Sequence, residues 1–473
     1  MSVPELPDPC GTLTRMSTRN REKRAAKQKA RRRAERVPSG PGPASPQAEF
    51  TFTPGPDRAQ RQEMLIGDLL RSAMCSCDEG PDGHAAHLLE GFDGPGRELD
   101  TAADLAVART IRRLWEFGWM PLDLVELARR RVPVPVGEYL TEAIVVESRR
   151  YATAMVHPRW RAAVDAISAA VDPTVLSETG SAHLRLWAER TAADRAGAVA
   201  TVLQALGLLG RLPKLERLLP LPGESRHRVA APEVGEVDQK ALSKVRGLLA
   251  KAESTEFPDE AEALSAKAQE LMSRYSLHQA VLDHDSGRDP AVSGRRLWLD
   301  APYVDAKALL VQAVATANRA RTVWSSHLGF ATVIGADVDL DGVELLVTSL
   351  LVQANRAMLA AGRHTTRSGT SRTRSFRQSF VVAYATRIGE RLESATSWAT
   401  TEVNAELQRV EPAADSRLLP VLAARADATE ELTERLFPTM VQRNVSASNR
   451  AGLAAGRAAA DQAQFEVRRS VAG

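Results

Sequence analysis

The sequence predicts a mainly α protein with a small α+β domain in its C-terminal half. Three observations carry that expectation. Aromatic residues make up only 5% of the chain while hydrophobic residues reach 44%, and with abundant Ala this favours helices packed through small side chains over a β-sandwich. Long stretches space their apolar residues three and four apart, the period of a helix buried on one face. By contrast, "ARTVWSS" and "GFATVIGA" are rich in Val, Thr and aromatics and flank a tight turn near His327–Gly329, the pattern of two paired strands. A length of 473 residues is enough for about two to four domains.

Residues 1–58 read as a disordered basic, Pro-rich tail, because "VPSGPGPASPQAEFTFTPGP" has too little apolar surface to fold. A helical domain is expected over 59–220, with helices at Arg61–Met74, Thr101–Phe117, Leu122–Arg131, Val136–Ala154 and Ala188–Leu209. Trp115, Trp119, Trp160 and Trp187 should anchor its core. "FGWMPLDLVELARRR" places Pro121 at a first helical position. A plain bundle corner is expected there rather than a helix-turn-helix.

A linker near 220–239 leads to a helical hairpin over 236–282. Its first helix spaces Leu242, Val245, Leu249 and Ala252 by 3, 4 and 3, and its second spaces Ala261, Leu264, Ala268, Leu271 and Tyr275 alike. Both present a narrow apolar seam. "STEFPDE" breaks the first helix at Pro258 and offers Asp259 as a cap for the second. So small a unit must dock on a neighbour. After a second linker, "DHDSGRDPAVSGR", an α-β-β-α-α domain is expected over 296–412. Its helices are placed at Ala306–Asn318, Leu340–Leu359 and Ser375–Leu407. A C-terminal helical segment over 413–473 ends in an Ala-rich helix whose small residues permit close packing.

The hairpin carries a resemblance. "KVRGLLAKAES" and "DEAEALSAKAQELMSRYSL" closely resemble a bacterial and phage module catalogued as domain of unknown function 2786. A weaker likeness extends into "ANRARTVW", "ATVIGADVD" and "SFRQSFVVAYATRIGERL". The resemblance implies an architecture and no chemistry, and residues 57–219 lie outside it.

Net charge is +3, but it is unevenly placed. Residues 15–36 hold eleven Lys or Arg and two Glu, a local +9, so the remainder carries 3 − 9 = −6. A basic arm on a mildly acidic body concentrates its electrostatics in the arm. Arg31, Arg32 and Arg33 lie within it, and without aromatics it suits phosphate-backbone contact rather than base stacking. Either Met1 or Met16 could start the chain. Three cysteines do not make a disulfide framework, no apolar signal region follows the arm, and the run around Leu345–Val352 is too short to span a bilayer. A cytoplasmic protein without a membrane is expected.

The strongest site candidate is "RHTTRSGTSRTRSFRQSF". No acidic residue occurs between Glu344 and Glu390, while Arg356, Arg363, Arg367, Arg372, Arg374, Arg377 and Arg387 accumulate among hydroxyls. A loop of that composition opening a helix suits phosphate groups. The competing reading is a solvated loop whose arginines pair with acids elsewhere. "CSCDEGPDGHAAH" brings Cys75, Cys77, His84 and His87 together in sequence. The C-x-C spacing fits zinc poorly, so the default is no metal, with those four as zinc candidates. Asp337, Asp339 and Asp341 start like a calcium loop, yet Thr348 stands where a bidentate Glu is required. The competing reading is a helix start with Asp341 as its cap. His327, His364 and Asp337 are the acid–base candidates should this domain be an enzyme.

No H-E-x-x-H, G-x-S-x-G, P-loop or dinucleotide fingerprint is present, and no cofactor is expected. The leading expectation is a nucleic-acid-associated protein. An enzyme acting on a phosphorylated or nucleic-acid substrate, or a helical protein–protein scaffold, are the alternatives.

Overall fold

A computed structural model describes residues 57–75, 80–92, 94–172, 183–224, 236–255, 258–287, 291–362, 364, 371–410, 418–441 and 444–462. The tail with Arg31, Arg32 and Arg33, and likewise Cys77, Arg363 and Arg367, lies outside these residues. The fold is mainly α with a small antiparallel sheet. The chain divides into two compact units, Met1–Arg226 and His227–Gly473.

The described part of the first unit is helical: α1 (Arg58–Met74), α2 (Gly80–Gly91), α3 (Gly96–Glu116), α4 (Pro121–Arg131), α5 (Val134–Ser148), α6 (Pro158–Ser168), α7 (His183–Thr191) and α8 (Arg195–Gly210). Helix α8 is apolar on nearly every side, so it sits at the centre and packs against α1, α2, α3, α5 and α7. Close approach to α1 needs no side chain at Gly207, where a Cβ would run into the Ala73 carbonyl. The four tryptophans are core residues: Trp115, Trp119, Trp160 and Trp187 are all buried. Trp119 Nε1 also donates to the Pro213 carbonyl at 2.8 Å, and Pro121 does stand at the first position of α4.

Three expectations for this unit need correction. Helices α2 and α6 are additional to those that periodicity marks. The continuous helix expected over Ala188–Leu209 is broken, because Ala192 takes φ 53° and the Asp194 carboxylate caps α8 by accepting from Gly197 N at 2.7 Å. A carboxylate that satisfies a helix start competes with continuing the helix before it. Cys75 is disulfide-bonded, although the cysteine count implies no disulfide framework.

The second unit begins with the hairpin, α9 (Glu236–Ser254) and α10 (Pro258–Asp285). Pro258 itself opens α10, so Asp259 falls inside the first turn and not before it. Beyond the hairpin come β1 (Val292–Trp298), α11 (Val304–Ala317), β2 (Arg321–Ser325), β3 (Phe330–Ala336), α12 (Asp337–Ala360), α13 (Thr373–Val410), α14 (Leu418–Leu436) and α15 (Arg450–Gln462). The strand order is β1-β3-β2, antiparallel throughout, with Trp298 opposite Phe330 and Val323 opposite Thr332. Strand β1 occupies what reads in sequence as a linker, since Gly294, Arg295 and Arg296 hide its alternation. All seven residues of β3 are buried. Ala331 and Val333 join the core with α11, α12 and α13, and α14 packs on the sheet as well.

Helix α12 is the one helix among the described residues long and apolar enough, by length and composition, to cross a membrane. Here its Leu340, Val343, Leu346, Val347 and Leu350 fill the core.

The hairpin docks on α12, α13 and α14 of its own unit. Val245, Leu249, Ala252 and Ala268 of the expected seams are buried. The second buried face of α10 is polar: Ser265, Gln269, Ser273 and Ser276 are each at most 2% exposed. Gln269 Nε2 donates to Asn318 Oδ1 at 3.0 Å and Thr396 Oγ1 at 3.2 Å. Gln353 Nε2 reaches Ser265 Oγ at 3.1 Å. Arg319 Nη2 donates to both Ser276 Oγ and Asp339 Oδ1. Buried polar groups are tolerated because they are paired in this way.

Candidate anion-binding surface at the start of α13

Helix α13 opens at Thr373, and its first turn closes when Phe376 N donates to Arg372 O at 2.9 Å. Arg372 therefore holds the cap position. Arg372 N donates to the His364 carbonyl at 2.8 Å, and His364 N donates to Thr373 Oγ1 at 3.1 Å. The His364 ring stacks on Phe376, centroids 3.4 Å apart. These contacts tie the loop end to the helix and fix the direction of its first turn. Arg374 and Arg377 are three residues apart and so share a face. Arg372 and Arg374 are placed near the surface, and Arg377 is partly buried, with its Nε lacking a hydrogen-bond partner.

The structure divides the arginines that the sequence groups together. Arg387 is taken up by Glu390 at 2.7 Å and by Asp461. Arg356 donates to the Thr255 carbonyl at 3.1 Å. Arg372, Arg374 and Arg377 make no ion pair among the described residues.

A neighbour adds to the same end. Asn449 caps α15 by accepting from Gly452 N at 3.0 Å, and its own N–H donates to Ser379 Oγ at 3.0 Å. Gly452 lies against Phe376 and Ser379, Gly456 against Phe380, and the Ala460 carbonyl accepts from Arg391. Contacts that advance together along both helices mean that α13 and α15 run parallel. Their N-termini open at one end, each with roughly +0.5 of a charge from its dipole, and exposed Arg450 is the first residue of α15. No acidic residue occurs within 345–389 or 444–460. Burial lowers the Arg391 pKa to about 10, so it stays charged at neutral pH while holding the Ala460 carbonyl.

The other candidates are not assembled. His84 is buried and His87 exposed on α2, Cys75 is held in its disulfide, and among the described residues no group of three His, Cys, Asp or Glu could hold a metal. The Asp337 carboxylate accepts from Ser293 Oγ, Asp339 faces Arg319, and Asp341 with Glu344 grips Arg295 at 2.5 Å each. Helix α12 starts at Asp337, so Asp341 is inside it and is no cap. His327 and Asp337 lie at opposite ends of β3, about 20 Å apart for a seven-residue strand, so they form no acid–base pair.

Sequence reasoning misses Asn449 and Arg450, whose place beside α13 is a tertiary fact. It also misses a buried cluster in the first unit. There the Asp104 carboxylate accepts from Leu184 N at 3.0 Å, and burial raises its pKa to about 6 against the pull of His183. His183 Nε2 lies 3.1 Å from Glu142, which also binds Arg190 at 2.6 Å.

Residues 240–279 match a family model described as "Protein of unknown function (DUF2786)". No curated protein and no solved structure matches the chain.

Proposed function

We propose that the protein associates with nucleic acid through the surface at the start of α13, assisted by the basic arm. The observation that carries this reading is the set of three guanidiniums at Arg372, Arg374 and Arg377 without carboxylate partners among the described residues, beside two parallel helix N-termini. Like charges gathered without compensation cost stability, and a polyanion offsets that cost. Acids are absent over long stretches of sequence around both helix starts, which suits a backbone of repeating phosphates.

Fluorescence anisotropy of labelled DNA and RNA tests this with the full chain and with Arg372, Arg374 and Arg377 changed to Gln. Binding that weakens at least about tenfold in the variant supports the reading. Equal affinity in the two proteins removes it.

A further inference from the structure

The first unit carries a groove that the nucleic-acid reading does not use. One cavity of about 510 Å³ lies between α1, α3 and α7, lined by Arg58, Gln62, Arg97, Thr101 and Arg185 together with Glu98 and Asp100. A second, of about 380 Å³, adjoins it and shares Asp100 and Arg185. Its remaining wall joins six apolar residues, Leu184, Ala188, Ala192, Ala193, Ala198 and Val199, to the charged Glu189, Asp194 and Arg195. Together they form a trough with one mainly charged half and one half where small apolar residues stand beside charged ones, in the size range of small-molecule sites.

The charges in the first half are not balanced. Glu98 answers Arg61 at 3.7 Å, and Asp100 answers Arg195 at 3.1 Å. Arg185 pairs along its own helix with Glu189 at 2.8 Å. Arg58 and Arg97 have no ion pair among the described residues. They stand in the first turns of α1 and α3, where a positive charge opposes the helix dipole. Two uncompensated guanidiniums over a cavity match one dianion better than one carboxylate. A phosphate monoester carries nearly two negative charges at neutral pH and accepts forked contacts from arginine. The second half is lined by three carboxylates, Asp100, Glu189 and Asp194, against two guanidiniums, Arg185 and Arg195, so an anion is disfavoured there and its small apolar residues are left to an uncharged group.

We propose that this groove binds a phosphate monoester bearing a small apolar group, with Arg58 and Arg97 on the phosphate and the Ala188 wall on the apolar part. Gln62 supplies a neutral hydrogen-bonding group in the charged half.

Isothermal titration of the full chain with phenyl phosphate, inorganic phosphate and benzyl alcohol tests it. The arginines of α13 are changed to Gln in every protein used, so binding there does not contribute. Phenyl phosphate is expected to bind at one site, and R58Q/R97Q should weaken it at least about tenfold. Ala188→Leu should weaken phenyl phosphate about fivefold or more while leaving inorganic phosphate within about twofold. Benzyl alcohol, which lacks the dianion, should bind at least about tenfold more weakly than phenyl phosphate. Circular dichroism checks that each variant is folded. Four results overturn the proposal: no saturable heat up to ~10 mM phenyl phosphate, unchanged affinity in folded R58Q/R97Q, equal loss of both phosphates in Ala188→Leu, or benzyl alcohol binding as tightly as phenyl phosphate.

Discussion

Gln269 and Asn318 hold each other by both amides: Gln269 Nε2 donates to Asn318 Oδ1 at 3.0 Å, and Asn318 Nδ2 returns to Gln269 Oε1 at 3.4 Å. Both are buried, one on the family-matched hairpin and one at the end of α11. Gln269→Leu leaves Asn318 Oδ1 without its donor, while Asn318 Nδ2 keeps the Val314 carbonyl at 2.8 Å, and should destabilise the second unit by about 1–2 kcal/mol. Adding Asn318→Leu should cost much less than its single effect, because the orphaned partner is gone. Urea unfolding of the two singles and the double reads this; additive losses would show that the pair is not coupled.

Gly456 sets the spacing of α13 and α15. Gly→Ala on a helix normally stabilises by about 0.5–1 kcal/mol. Here the new Cβ meets the Phe380 backbone, so Gly456→Ala should instead destabilise by about 1–3 kcal/mol. Faster tryptic cleavage at Arg450 and Arg457 is the expected companion. A stabilised variant with unchanged cleavage would contradict the close packing.

Asp104 makes stability depend on pH. Its folded pKa of about 6 lies above the ordinary value of 3.8, so the folded state holds the proton more tightly than the unfolded one. Stability from this group is greatest below about pH 4, falls as pH rises through 4 to 6, and is level above that. Between pH 5 and 7 the wild-type chain should lose about 1 kcal/mol that Asp104→Asn does not lose. Denaturant titrations of both proteins at the two pH values measure that difference, and parallel behaviour would refute the assignment.

Salt reports the α13 surface. Removing three phosphate contacts should flatten the slope of log Kobs against log[salt] on duplex DNA by about 2–3. A slope that is unchanged in Arg372, Arg374 and Arg377→Gln would place the contacts elsewhere.

The tryptophan core, the β2–β3 pair and the hairpin seam are legible in the sequence, because each follows from local periodicity. Ser265, Gln269, Ser273 and Ser276 are not. Polar residues at helical spacing read as a solvated face, and only the arrival of Asn318, Gln353 and Thr396 from distant elements turns them inward. The same limit applies to the arginines. Only Glu390, three residues beyond Arg387, sets it apart locally from Arg377, and the second claim on Arg387, by Asp461, comes from 74 residues further along the chain.

The parallel course of α13 and α15 has an energetic consequence for the C-terminal helix. Two positive helix ends held side by side repel, so part of the packing at Gly452 and Gly456 is spent against their own field. An anion bound at that end would relieve the repulsion and seat α15 more firmly. By reciprocity, a firmly seated α15 would raise the affinity for the anion by the same factor. The seating of α15 is thus thermodynamically linked to occupancy of the surface, and its protection from proteases becomes a gauge of what is bound there.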